Sequence, residues 1–193
     1  MNLQFRSTTI PGTRLDRSEA DGLTGLPFLR HLFLGTDGVM IATIRNISGI
    51  DTSTLQNWVK RGWVANSRCR KYDPEQVAHI LIINMLRACM RLEHIDFILR
   101  YINGDITDTS DDIISESRLY DTICRILDDM NEVPVCDPAT VQTIVARETA
   151  DYKEPFKGAR ERLREALEII ALTYCAAIVK SHADRLLEEL AGN

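Results

Sequence analysis

Between Met40 and Tyr72 the chain reads MIATIRNISGIDTSTLQNWVKRGWVANSRCRKY, and this stretch leaves few folds open. Ile41, Ile44 and Ile47 recur at helical spacing, and Gly49 stands where a first helix should end. Asp51 then offers a side-chain oxygen to the free N–H groups of a second helix. That helix turns Leu55, Trp58 and Val59 inward. Gly62 closes it, because glycine enters the left-handed conformation at little steric cost. Helix, short glycine turn, helix is the arrangement that sets a recognition helix into a DNA major groove. Left facing outward are Thr52, Ser53, Gln56, Asn57 and Lys60, a set rich in amides and hydroxyls. Helical hairpins of this kind also occur in all-α proteins that bind no nucleic acid, so charge has to be weighed beside the pattern.

The charge distribution favours a nucleic-acid surface. From Met40 to Tyr72 six bases (Arg45, Lys60, Arg61, Arg68, Arg70, Lys71) face the single acid Asp51. The chain as a whole carries a formal charge of −5. A basic segment in an acidic protein is the footprint expected of a phosphate-contacting surface. Val64 to Lys71 has room for a small β-hairpin wing whose basic residues straddle a phosphate backbone. The candidate DNA contacts are therefore Thr52, Ser53, Gln56, Asn57, Lys60 and Arg61 on and after the second helix, with Arg68, Arg70 and Lys71 on the wing.

Several runs carry a more specific likeness: Ser48-Gly49-Ile50, Thr54-Leu55, Arg61-Gly62, and Tyr72 followed by Asp73-Pro74-Glu75-Gln76-Val77. With Arg91-Leu92-Glu93-His94-Ile95 further on, the segment resembles the winged-helix head of the MerR family of bacterial regulators. It is most similar to a group of MerR-like proteins known only as a domain of unknown function. That group is matched by the runs TLQNWVK at 54–60, LIINML at 81–86 and SDDII at 110–114. The resemblance covers about residues 40–125 and implies a winged helix-turn-helix head. The wing is shorter than in typical MerR proteins and lacks their glycine. Gln56 and Asn57 stand where the larger family usually carries arginine and tyrosine.

The remainder reads as a helical body. Residues 1–25 look like an irregular arm, and Leu26 to Leu34 is a short helix expected to pack on the head. Asp73 and Pro74 open a core helix reaching about Met90, by a capping side chain followed by proline at the first helical position. His79 lies on that helix with no second metal ligand at a useful spacing. Leu92 to Tyr101 is helical and ends at Asn103-Gly104. The acidic loop after it lacks the alternating ligands of a calcium loop. Glu116 to Met130 is helical, the EVPVCDP segment is a linker, and Asp137-Pro138 restarts a helix. A last helix runs from Phe156 or Gly158 to about Leu190. Its middle, Ala166 to Val179, is apolar nearly all round, which suits a buried helix or a subunit interface and is too short for a bilayer. Leu163, Leu167, Ile170 and Tyr174 recur in alternating steps of four and three, the spacing of a helix–helix seam.

The expected fold is all-α with a small β wing. Its organisation is an N-terminal arm and short helix (1–39), a DNA-binding head (40–104) and a helical body for dimerisation (105–193). The five cysteines are scattered without a CxxC pair, against a zinc ribbon or a disulfide framework. Cys69, among Arg68, Arg70 and Lys71, is an incidental wing thiol. No glycine-rich phosphate loop, catalytic carboxylate pair or nucleophile–base constellation is visible, so no enzyme activity, metal or cofactor is expected. Without a secretory segment the chain is expected to be soluble and cytoplasmic. The expected function is a dimeric, sequence-specific transcriptional regulator on double-stranded DNA, with the body also the place for a small-molecule effector. The alternative is a protein-interaction module whose head no longer binds DNA.

Overall fold

The computed structural model describes residues 8–106, 108, 110–133 and 137–192. Eight α-helices are seen among the described residues: α1 (Gly25–Leu32), α2 (Ile41–Ser48), α3 (Thr52–Lys60), α4 (Pro74–Leu86), α5 (Leu92–Asn103), α6 (Glu116–Glu132), α7 (Pro138–Glu148) and α8 (Ala159–Ala191). Two short strands, β1 (Val39–Met40) and β2 (Lys71–Tyr72), pair antiparallel with Val39 opposite Tyr72. The protein is mostly helical, with one two-stranded sheet and a long C-terminal helix. Pro134 and Cys136 of the linker lie outside the described residues.

Local chemistry explains most of the boundaries. The Asp51 carboxylate accepts from the Thr54 N–H to open α3, and Gly49 ends α2 at a φ of 73°. Asp73 and Gln76 form a reciprocal capping box around Pro74 at the start of α4. Asp137 caps α7 without a reciprocal partner, accepting from the N–H groups of Ala139 and Thr140. α4 ends at Leu86, one turn before the expected Met90, and a turn then leads into α5.

The core is built around α4, which touches α2, α5, α6 and α8. Val77, Ala78, Ile80, Leu81, Ile82 and Leu86 are fully buried, so this helix has no solvent face over most of its length. The polar side chains it carries serve as pins. Asn84 donates from Nδ2 to the carbonyls of Gly12 (2.9 Å) and Ser48 (3.0 Å). Gly12 presses so closely on the Leu81 carbonyl that a Cβ there would sit 2.2 Å from its oxygen. Tyr120 of α6 donates to the Pro11 carbonyl at 2.7 Å. With Ile10 fully buried, the described part of the arm is a fixed layer of the core.

Two expectations are corrected. The short helix α1 packs chiefly on α6 of the body, where Asp121 accepts from the Leu26 N–H and so caps it across space. The stripe Leu163, Leu167, Ile170 and Tyr174 is not a seam left for another subunit. The first three are buried in the chain's own core and Tyr174 packs against it. Amphipathic spacing specifies a face, and here α4, α5, α6 and α7 cover that face. By length and composition α8 is the one helix among the described residues able to cross a membrane, yet its first half is taken up by this packing.

Replacing Asn84 by Ala leaves two carbonyls at the arm–hairpin junction without their donor. The expected cost is about 1–3 kcal/mol, read from urea denaturation; a wild-type midpoint would show that the pin carries no load.

Candidate nucleic-acid interface and the adjoining cavity

The sequence of α3 divides its surface in two. Leu55 and Trp58 are buried, and Val59 packs partly against the core. Ser53, Gln56, Asn57 and Lys60 are exposed on the other side, with Thr52 half-buried beside them. The Ser53 hydroxyl donates to Asp51 at 2.6 Å, so it is already engaged in the cap. Together with the Thr54 bonds, this holds the Asp51 carboxyl down at about 2. Gln56, Asn57 and Lys60 make no side-chain hydrogen bond or ion pair among the described residues. Arg61 lies over the Trp63 ring at 5.1 Å.

The wing is smaller and more constrained than the sequence suggests. Arg68 and Lys71 exchange both backbone hydrogen bonds at 2.9 Å, which closes a two-residue hairpin. Its central residues, Cys69 and Arg70, have φ of 50° and 63°. A turn with both central φ positive normally carries asparagine and glycine. Ordinary side chains there cost roughly 1–2 kcal/mol each. The return strand β2 pairs with β1, which precedes α2, so the wing is stitched to the start of the hairpin. Arg68, Cys69, Arg70 and Lys71 are all exposed, and only Lys71 has an acidic partner among the described residues, Asp37 at 3.4 Å.

The chain between α3 and the wing is held by α4. Gln76 donates to the carbonyls of Ala65 (3.3 Å) and Asn66 (2.9 Å). The His79 Nε2 lies 2.9 Å from the Trp63 carbonyl, and Arg100 donates to the Gly62 carbonyl at 3.2 Å. Behind this contact lies a cavity of about 630 Å³, walled by the post-α3 chain, α4, α5 and the start of α6. Sequence reading missed it. His79 looked like an isolated histidine and the acidic loop like a solvated one. The only signal available was a histidine set in an otherwise apolar, fully buried helix.

The protonation of that histidine follows from geometry. A carbonyl can only accept, so Nε2 carries a proton. In a neutral ring Nδ1 would then aim a lone pair at the Glu116 Oε2, 3.2 Å away. The repulsion is relieved when the ring is protonated. Burial pushes the His79 pKa down, but the Glu116 charge and the groups around it more than offset this, and the net shift is upward. Asp112, on the same cavity, is pushed up to about 6 by partial burial and then by the charges of Glu116, Asp111, Asp108 and Glu75. Both groups hold protons more tightly folded than unfolded. Their contribution to stability is therefore present at low pH and is lost as pH rises, from about pH 4 for the carboxyl through the raised histidine value. Urea midpoints are expected to fall between about pH 5 and pH 8, and the fall is expected to flatten in Glu116→Gln. Equal slopes in the two proteins would refute the assignment.

Comparison with known proteins adds position without function. Residues 37–123 match the model of a family described as a domain of unknown function, DUF1836. That span runs from β1 to the middle of α6 and contains every residue lining the cavity; α8 lies outside it. Over 162 residues the chain is 24% identical to a Bacillus subtilis (strain 168) protein described as uncharacterized protein YkrK, covering 79% of this chain and 70% of that one. No solved structure matches.

Proposed function

We propose that the chain is a DNA-binding transcriptional regulator with a MerR-like winged helix-turn-helix head, acting as a dimer. The observation that carries this reading is the outer face of α3. Gln56, Asn57 and Lys60 stand exposed with no partner among the described residues, on a segment with six bases and one acid. Amides suit bidentate recognition of adenine N6 and N7 in the major groove. The wing's Arg68, Arg70 and Lys71, with Arg61, supply phosphate contacts that fix orientation without reading sequence.

The dimer contact lies on the exposed face of α8. Ile169, Leu172, Ala176, Val179, Ala183, Leu186 and Leu190 recur in alternating steps of three and four. All seven are exposed, and Leu190 is 75% exposed. Beyond Cys175 no described residue of α8 is buried. Three heptads of apolar seam projecting from the body fit a second copy of the same helix. Two heads joined in this way gain through effective concentration on an inverted-repeat operator.

Fluorescence anisotropy on random duplex at low and moderate salt, followed by sequence selection, tests the reading. Gln56→Ala or Asn57→Ala is expected to cost about 1–3 kcal/mol and to relax preference at one position. Neutralising Arg68, Arg70 and Lys71 is expected to weaken all sequences alike and flatten the salt slope by about one unit per contact. Arg70→Gly separates charge from fold, because it removes a phosphate contact while relieving the left-handed turn. Leu186→Glu is expected to give folded monomer with operator binding weakened by about 100-fold or more. A wild-type protein with no salt-dependent DNA affinity would leave the protein-docking alternative.

A further inference from the structure

Of the proposed DNA contacts, Arg68 alone also lines the cavity behind the wing. Its walls bring six carboxylates (Asp73, Glu75, Asp96, Asp105, Asp112 and Glu116) against two guanidinium groups, Arg68 and Arg100. Four of the six are committed within the fold. Asp73 caps α4; Glu75 accepts from the Ser117 N–H (2.7 Å) and hydroxyl (2.6 Å) at the start of α6; Asp96 and Asp105 hold Arg100 at 3.0 and 3.5 Å. The other two have acceptor capacity left over. Asp112 has no hydrogen-bond or ion-pair partner among the described residues. Glu116 gives Oε1 to the Asn103 amide at 3.2 Å, and its buried Oε2 has lone-pair capacity beyond the histidine it faces. That histidine is His79, whose side chain is 8% exposed and whose protonated Nδ1 lies 3.2 Å from Oε2.

We propose that this cavity binds a small organic cation, an ammonium or guanidinium group on a short aliphatic stem, with Asp112 and Glu116 as its counter-charges. A half-buried carboxylate without a donor, as at Asp112, is costly, and a cation with several N–H groups satisfies it directly while sharing the free lone pairs of Glu116. Val64, Leu99 and Ile106 provide apolar wall for a stem. The volume lies within the range of small-molecule sites, about 300–1,000 Å³. No group of three His, Cys, Asp or Glu residues able to hold a metal ion is found among the described residues, which favours an organic cation. In the empty site a proton on His79 makes the ring cationic beside Glu116, and a proton on Asp112 neutralises that carboxyl. Glu75 of α4, Asp96 and Arg100 of α5, Asp105, Asp108 and Asp111 of the acidic loop and Arg68 of the wing set the surrounding field. A cation competes with those protons, so its affinity increases with pH.

Isothermal titration calorimetry on the full chain without DNA, at constant ionic strength, tests this independently of the DNA reading. Agmatine and cadaverine are the probes, with pentanol and pentanoate as neutral and anionic controls. Agmatine is expected to bind one-to-one, more tightly at about pH 8 than at about pH 5, and the controls not at all. Asp112→Asn and Glu116→Gln are each expected to weaken binding about tenfold, the equivalent of ~1.4 kcal/mol. Asp112→Asn removes a carboxyl whose ionisation opposes folding, so it is expected to remain folded, as circular dichroism can check. Glu189→Gln, far along α8, is expected to bind as wild type. Absence of agmatine binding to the wild type, or binding unchanged in both cavity variants, would overturn the proposal.

Discussion

The burial of α4 on nearly all sides is the constraint on which the rest of the structure depends. A helix with Val77, Ala78, Ile80, Leu81, Ile82 and Leu86 all withdrawn from water needs cover in every direction. The hairpin, the body helices and the arm supply it. Its few polar side chains must find partners in whatever covers them, because an unpaired buried polar group is expensive. Asn84 therefore holds the arm and the end of α2, Gln76 the chain leading to the wing, and His79 the Trp63 carbonyl. The wing's position thus follows from the core helix behind it rather than from its own short hairpin.

Capping across space extends the same logic. α1 and α6 start with no side-chain cap from their own N-cap residues, Thr24 and Ser115. Their first-turn N–H groups are met by carboxylates from elsewhere: Asp121 for α1 and Glu75 for α6. Arg17 and Thr24 also reach Asp128, at 2.5 and 3.2 Å, so the arm and α1 are fastened to α6 by polar as well as apolar contacts. Anions at helix N-termini are favoured by the helix dipole. The concentration of acid near the start of α6 raises the Asp112 carboxyl and keeps a proton on His79 beside Glu116, and that is the chemical character of the cavity.

Helix positions were legible in the residues because their determinants are local. Asp51, Asp73 with Pro74 and Asp137 with Pro138 mark starts, Gly49 and Gly104 mark ends, and each acts on N–H or C=O groups within a few residues of itself. The outward face of α3 could be read for the same reason, since Leu55 and Trp58 define its inward side by spacing alone. The cavity was not legible. His79, Asp96, Asp112 and Glu116 are distant in sequence, and only the packing of α5 and α6 on α4 brings them together.

The C-terminal helix separates the two kinds of information most clearly. Sequence alone determined that a long helix follows Gly158 and that its middle is apolar nearly all round. It offered one stripe of alternating spacing, through Leu163, Leu167, Ile170 and Tyr174, as the seam. Tertiary packing buried that stripe against the body and left a different one, through Ile169 and Leu172, exposed. Periodicity states that a face is apolar, whereas the identity of what covers that face depends on contacts between residues far apart in the chain.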